Sequence, residues 1–156
     1  ALEDVRATSS GLLLPQLEAM TVDETIDHAV RAHRRCTGED VDVASEQLPE
    51  QAPLATKIAV YRVIQEALAN AWRHAKGATE RVTATGSPQR IRIEVADDGP
   101  GFEAGSLGRS DQHLGLLGMR ERVESLGGEF QIVTAPGAGT RVVALLPWQL
   151  TGGGDD

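Results

Sequence analysis

Glu66, Asn70, Arg73 and His74 stand at i, i+4, i+7 and i+8 of one helical pattern, so a helix presents them on one face. They are an acid, an amide and two nitrogen donors. Glu and Asn oxygens suit a hard cation, directly or through water, and the nitrogens suit phosphate. The set is able to hold a hydrated Mg²⁺ beside phosphates. A plain polar helix face turned to water is the competing reading.

Three further features follow along the chain. Asp97-Asp-Gly-Pro-Gly101 comes directly after an alternating strand pattern. An acid at a strand end can accept a hydrogen bond from an exocyclic amine such as that of adenine. The glycines two and four residues on allow backbone to approach a flat ligand closely. An ordinary Gly/Pro turn is the alternative. Gly115-Leu-Leu-Gly-Met-Arg-Glu-Arg122 opens a helix with glycines three apart, placing free N–H groups and a positive helix end where an anion could sit. The alternative is simply a helix that starts with glycine. Gly137-Ala-Gly-Thr140 fits a hairpin turn by itself, and Thr140 gains meaning only beside the others.

The elements that must position these residues can be read from periodicity and punctuation. Residues 1–20 read as the end of a helix and a turn. Thr21, with Glu24 three residues on, is a capping box opening a helix that Gly38 stops. Residues 41–43 alternate as a short strand. Residues 54–75 carry the longest helical pattern, with Val60, Ile64, Ala67, Leu68 and Ala71 as its apolar stripe. The polar set above lies away from much of that stripe. Residues 82–85 and 91–95 read as one hairpin, 114–126 as a helix, and 130–133 with 140–146 as a second hairpin. Two hairpins make most of the sheet antiparallel, so the class is α+β with helices on one face.

At 156 residues the chain suits one domain, with 40% apolar and 24% charged residues. Aromatics are 3%, so the core must be aliphatic. Fifteen Lys and Arg against 23 Asp and Glu give −8, which argues against a nucleic-acid binder. No apolar run approaches the ~18 residues needed to cross a membrane. Cys36 stands alone, which fits a reduced cytoplasmic setting, and it reads as a half-buried thiol.

In this order the four features resemble those of sensor histidine kinases. Tyr61-Arg-Val-Ile-Gln-Glu-Ala-Leu-Ala-Asn-Ala-Trp-Arg-His-Ala75 is similar to their N box, and Asp97 to Gly101 to their D-x-G-x-G box. Gly115 to Arg122 resembles the second glycine box, and Gly137 to Thr140 the terminal G-x-G-T element. The wording resembles the nitrate-sensor-like branch, and the likeness covers about residues 21–148. It implies the Bergerat (GHKL) ATP-binding fold: a mixed, mostly antiparallel sheet covered on one face by three helices. Residues 1–20 would be the end of a dimerisation helix and a linker, and 149–156 a disordered tail.

The resemblance also assigns roles. Asn70, with Glu66, would bind Mg²⁺. Arg73 and His74 would approach phosphate, and Asp97 would hold the adenine amine with Thr140 nearby through water. Gly99, Gly101, Gly115 and Gly118 would permit close approach to ATP, with Leu116 and Met119 beside it. Glu66 matches a general base of ATP-hydrolysing relatives; polarising an acceptor histidine or organising the Mg²⁺ shell are other roles open to it. A lid would span 103–113, bringing Arg109 and His113. In the family the phosphoacceptor histidine precedes an acid, whereas His28, His33, His74 and His113 precede Ala29, Arg34, Ala75 and Leu114. The expected function is ATP-dependent phosphorylation of a histidine on the protein's own separate dimerisation domain, with a response regulator downstream. The chain itself is expected to be monomeric, without nucleic acid or membrane contact. A Bergerat-fold serine kinase of anti-sigma type and a non-catalytic nucleotide sensor are the alternatives.

Overall fold

The computed structural model describes residues 16–75, 77–103 and 114–148. The expected capping box opens the first helix, α1 (Val22–Thr37): the Glu24 N–H donates to Thr21 Oγ1 at 3.1 Å, and the Thr21 N–H donates to Glu24 Oε1 at 2.9 Å. Gly38 closes it in a left-handed conformation. Cys36, in the last turn beyond the last buried residue His33, is exposed rather than half-buried.

Strand β1 (Val41–Glu46) is longer than its alternation implied, and only Val41 is buried. It lies at the sheet edge and pairs in parallel with β2 (Glu80–Gly86). The helix between them, α2 (Leu54–His74), supplies the crossover that parallel pairing requires. β2 forms the expected hairpin with β3 (Arg90–Asp97). The third helix, α3 (Leu114–Ser125), leads to the second hairpin, β4 (Glu129–Thr134) and β5 (Thr140–Pro147). The sheet order is β1-β2-β3-β5-β4, with every pairing after the first antiparallel.

Period two puts Val82, Ala84, Ile91, Ile93, Val95, Val142, Ala144 and Leu146 on the helix-covered face, all buried. They meet Val60, Ile64 and Leu68 of α2, the central helix, which also packs on α1 and α3. Each large aliphatic side chain buried there contributes about 1.5–3 kcal/mol. Lys57, buried in the first turns of α2, donates its Nζ to the carbonyls of Glu18 and Met20, at 3.0 and 2.8 Å. It thereby ties the short helical turn at 16–19 onto the domain.

Candidate nucleotide site

The four motifs converge on one end of the sheet. β3 ends at Asp97, whose cross-strand partners are Thr140 on β5 and Glu80 on β2. Asp97 Oδ1 accepts the Gly99 N–H at 2.9 Å, which fixes one carboxylate oxygen. The Thr79 N–H donates to Asp98 Oδ1 at 2.9 Å, tying the same loop to the start of β2. Burial pushes the Asp97 carboxyl above the usual carboxylate range. The Gly99 N–H opposes this, the nearby Glu80 and Asp98 charges add to it, and the Thr140 backbone opposes it.

Thr140 is buried, and its hydroxyl shares a hydrogen bond with Thr134 Oγ1 at 3.0 Å. Sequence reasoning passed over Thr134. It also accepts the Phe102 N–H at 3.0 Å and donates toward the Gly139 carbonyl at 3.1 Å. The signal was available, since Thr134 and Thr140 are the closing pair of the second hairpin. A cavity of about 220 Å³ meets this end. Ala96 and Arg141 line it from the uncovered sheet face, with Asp97 and Thr140 at the strand ends. It is smaller than the ~300–1,000 Å³ typical of ligand pockets.

The glycines also allow close approach within the protein itself. A Cβ on Gly99 would collide with Ala75, the residue that caps α2. One on Gly101 would meet the Ala135 carbonyl, and one on Gly115 the Glu66 carboxylate. These three glycines let the motifs touch one another. Gly118 is the exception, because a Cβ there would have no neighbour within 4 Å among the described residues.

Asn70 goes against the competing reading of a plain polar face turned to water. It is 4% exposed, not on a solvated face, because α2 is packed on nearly every side. Its Oδ1 has no hydrogen-bond partner among the described residues. Glu66, one turn earlier, is partly exposed and reaches two ways: to Arg73 Nη2 at 3.4 Å and against Gly115 in the first turn of α3. A carboxylate suits that positive helix end. Leu116 is 1% exposed in the core, so its backbone is the part able to meet a ligand, and Met119 packs partly against that core. His74, in the last turn of α2, is partly buried. Arg109, His113 and all of the expected lid beyond Glu103 lie outside the described residues.

An acid at a strand end, a buried amide oxygen on a facing helix and a glycine-opened helix start thus lie at one end of the sheet. The family profile for histidine kinase-, DNA gyrase B- and HSP90-like ATPases matches residues 55–150, and the chain belongs to that family. Among curated relatives, it is 30% identical over 147 residues to the signal transduction histidine-protein kinase/phosphatase DegS of Brevibacillus brevis, covering 94% of this chain and 38% of that protein. It is 37% identical over 100 residues to the sensor histidine kinase YhcY of Bacillus subtilis, covering 61% of this chain and 25% of the other. The chain thus spans less than half the length of these relatives. The histidine kinase domain of a blue-light-activated kinase from Erythrobacter litoralis superposes with a TM-score of 0.70 at 22% identity, covering 84% of this chain and 63% of that one. The mycobacterial sensor histidine kinase MprB gives 0.62 at 19%, covering 83% and 95%. Among the described residues, no helix is long and apolar enough to cross a membrane.

Proposed function

We propose that this domain binds ATP with Mg²⁺ and transfers the γ-phosphoryl group to a histidine on a separate dimerisation domain of its own protein, which then serves a response regulator. The observation that carries the reading is Asn70 Oδ1, buried and without a partner among the described residues. A buried acceptor left unpaired costs about 1–3 kcal/mol, so the fold holds an oxygen in reserve for a ligand. The donor set fits the cation, since an amide oxygen and a carboxylate one turn apart are hard oxygen ligands. Bound there, Mg²⁺ would neutralise phosphate charge.

Glu66 supports the same reading. Its carboxylate already stands at the first turn of α3, where phosphate is expected. Two anions share that helix end favourably only with a cation between them. Arg73, held by Glu66, would then lie within reach of phosphate. At the other end, the second oxygen of Asp97 would accept the adenine amine, with Thr140 alongside. The chain's work is mainly positioning and electrostatics, as phosphoryl transfer requires.

His33 is buried against Glu80, and His28 stacks beside Tyr61 with ring centroids 5.7 Å apart. The test is incubation of the chain with labelled ATP, alone and with the dimerisation domain of the same protein. Label is expected only on the added domain, slowly and in proportion to its concentration, because no tether raises the local concentration. Acid-labile label on the chain alone would refute the reading.

A further inference from the structure

Asp97 is not the only acid at its end of the sheet. Glu80 is its cross-strand partner, and it lies in phase with Val82 and Ala84 on the helix-covered face. Glu80 is 3% exposed and His33 is 8% exposed, and His33 Nε2 lies 3.1 Å from Glu80 Oε1. A buried acid–imidazole pair is a poor source of stability, since apolar residues of similar volume do as well or better. Its placement against Asp97 gives it something else to do.

We propose that Glu80, held by His33, is a positioning residue for Asp97: its carboxylate bars Asp97 from turning back along the ladder and keeps the free Asp97 oxygen directed at the ligand. The inference rests on the reading of Asp97 as the adenine acceptor. Among the described residues, the groups around Glu80 are few. From α1 comes His33, from β1 the apolar Val41, and from β3 Asp97 with Asp98 beyond it. On β2 the neighbouring Arg81 points to the opposite face. α2 ends nearby with Arg73, which pairs with Glu66, and His74.

Geometry and charge then act together. Like charge from Glu80 is one of the influences that raise the Asp97 carboxyl, after burial. A group raised in the folded state contributes stability below its unfolded value that is lost as pH rises through the folded one, so ionised Asp97 is held against the fold's preference. With the Gly99 N–H on Oδ1, a proton taken up on the other Asp97 oxygen would turn the acceptor into a donor, so nucleotide binding should weaken on the acid side.

The experiment measures ADP affinity from about pH 4.5 to pH 8 for wild type, Asp97→Asn, Glu80→Gln and His33→Gln, with thermal melts as a check on folding. Ratios of variant to wild type cancel the titration of ADP itself. Asp97→Asn should weaken binding and abolish the acid limb assigned to it. Glu80→Gln should move that limb to lower pH by about half a unit to one unit. It should also weaken binding about 3–10-fold at neutral pH, because the amide can draw Asp97 inward by a hydrogen bond. His33→Gln removes the ring that holds Glu80 in place and should weaken ADP binding at neutral pH. If His33→Gln fails to fold, Glu80→Gln, which is isosteric, decides the matter alone. A Glu80→Gln profile that superimposes on wild type, with Asp97→Asn behaving as stated, overturns this inference and leaves the adenine reading intact. Unchanged binding by Asp97→Asn overturns both.

Discussion

At the Asp97 end of the site, strand termini lock to one another. Asp97 holds the Gly99 N–H, Asp98 the Thr79 N–H, and Thr134 joins Phe102, Gly139 and Thr140. At the Asn70 end, a buried amide oxygen has no partner among the described residues, and Gly118 faces open space. One end is assembled by the protein's own contacts before any ligand arrives. The other is left with a buried oxygen unpaired among the described residues, the end where the proposed function puts cation and phosphates. The difference teaches where to expect coupling between stability and binding: changes at the first end should hurt both, and changes at the second should separate them.

The largest effect should come from Gly139→Ala. Gly139 has φ 73°, and a Cβ there would collide with the Asp97 carbonyl and sit 3.2 Å from Asp98 Cα. Left-handed strain and overpacking together should destabilise the domain by about 3 kcal/mol. That corresponds to a melting temperature lower by on the order of 10 °C for a domain of this size. ADP affinity should fall with it. A variant that melts like wild type would mean the Asp97 end is not locked as described.

Next is Asn70→Ala, compared with Leu68→Ala two residues away. Leu68 is fully buried in the core, and its truncation should cost about 2–5 kcal/mol of stability. Asn70→Ala removes an acceptor that the described protein leaves unsatisfied, so stability should change by less than about 1 kcal/mol. Phosphoryl transfer should nonetheless fall by about a hundredfold, equivalent to ~2.7 kcal/mol of barrier. Melts and transfer rates on both variants check this. Equal losses of stability would place Asn70 among the packing residues.

What the sequence disclosed follows the same division. Local chemistry was legible: the Thr21–Glu24 box, the Gly38 stop and both hairpins formed as their residues required. The motifs of the candidate site were legible as motifs too, and they meet at one end of the sheet. Non-local placement was not. Helical spacing grouped Asn70 with Glu66 on a polar face, but spacing along α2 says nothing of the elements packed around it, and Asn70 is buried by them. The short alternation at 41–43 does not reveal the parallel partner of β1, since only Val41 is buried. Glu80 could have been found, because it shares the phase of Val82 and Ala84 and therefore had to be a buried acid.

The smallest effect, and the sharpest contrast with Gly139, belongs to Gly118→Ala. Gly118 lies inside α3 without a left-handed backbone, and a Cβ on it would have no neighbour within 4 Å among the described residues. Glycine in a helix interior is worse than alanine by roughly 0.5–1 kcal/mol, so on folding grounds alone the substitution should stabilise the domain by that amount. Nothing in the described packing asks for glycine here. What a Cβ would take up is open space beside the first turns of α3, where phosphate is expected to approach the backbone. The variant should therefore melt higher than wild type yet bind ADP more weakly, with the loss growing for ATP analogues that carry the γ-phosphate. Calorimetry and a melt on the same preparation decide it. A stabilised variant with unchanged affinity for both nucleotides would put the phosphates elsewhere, and the division between a locked end and an open end would no longer map onto adenine and phosphate.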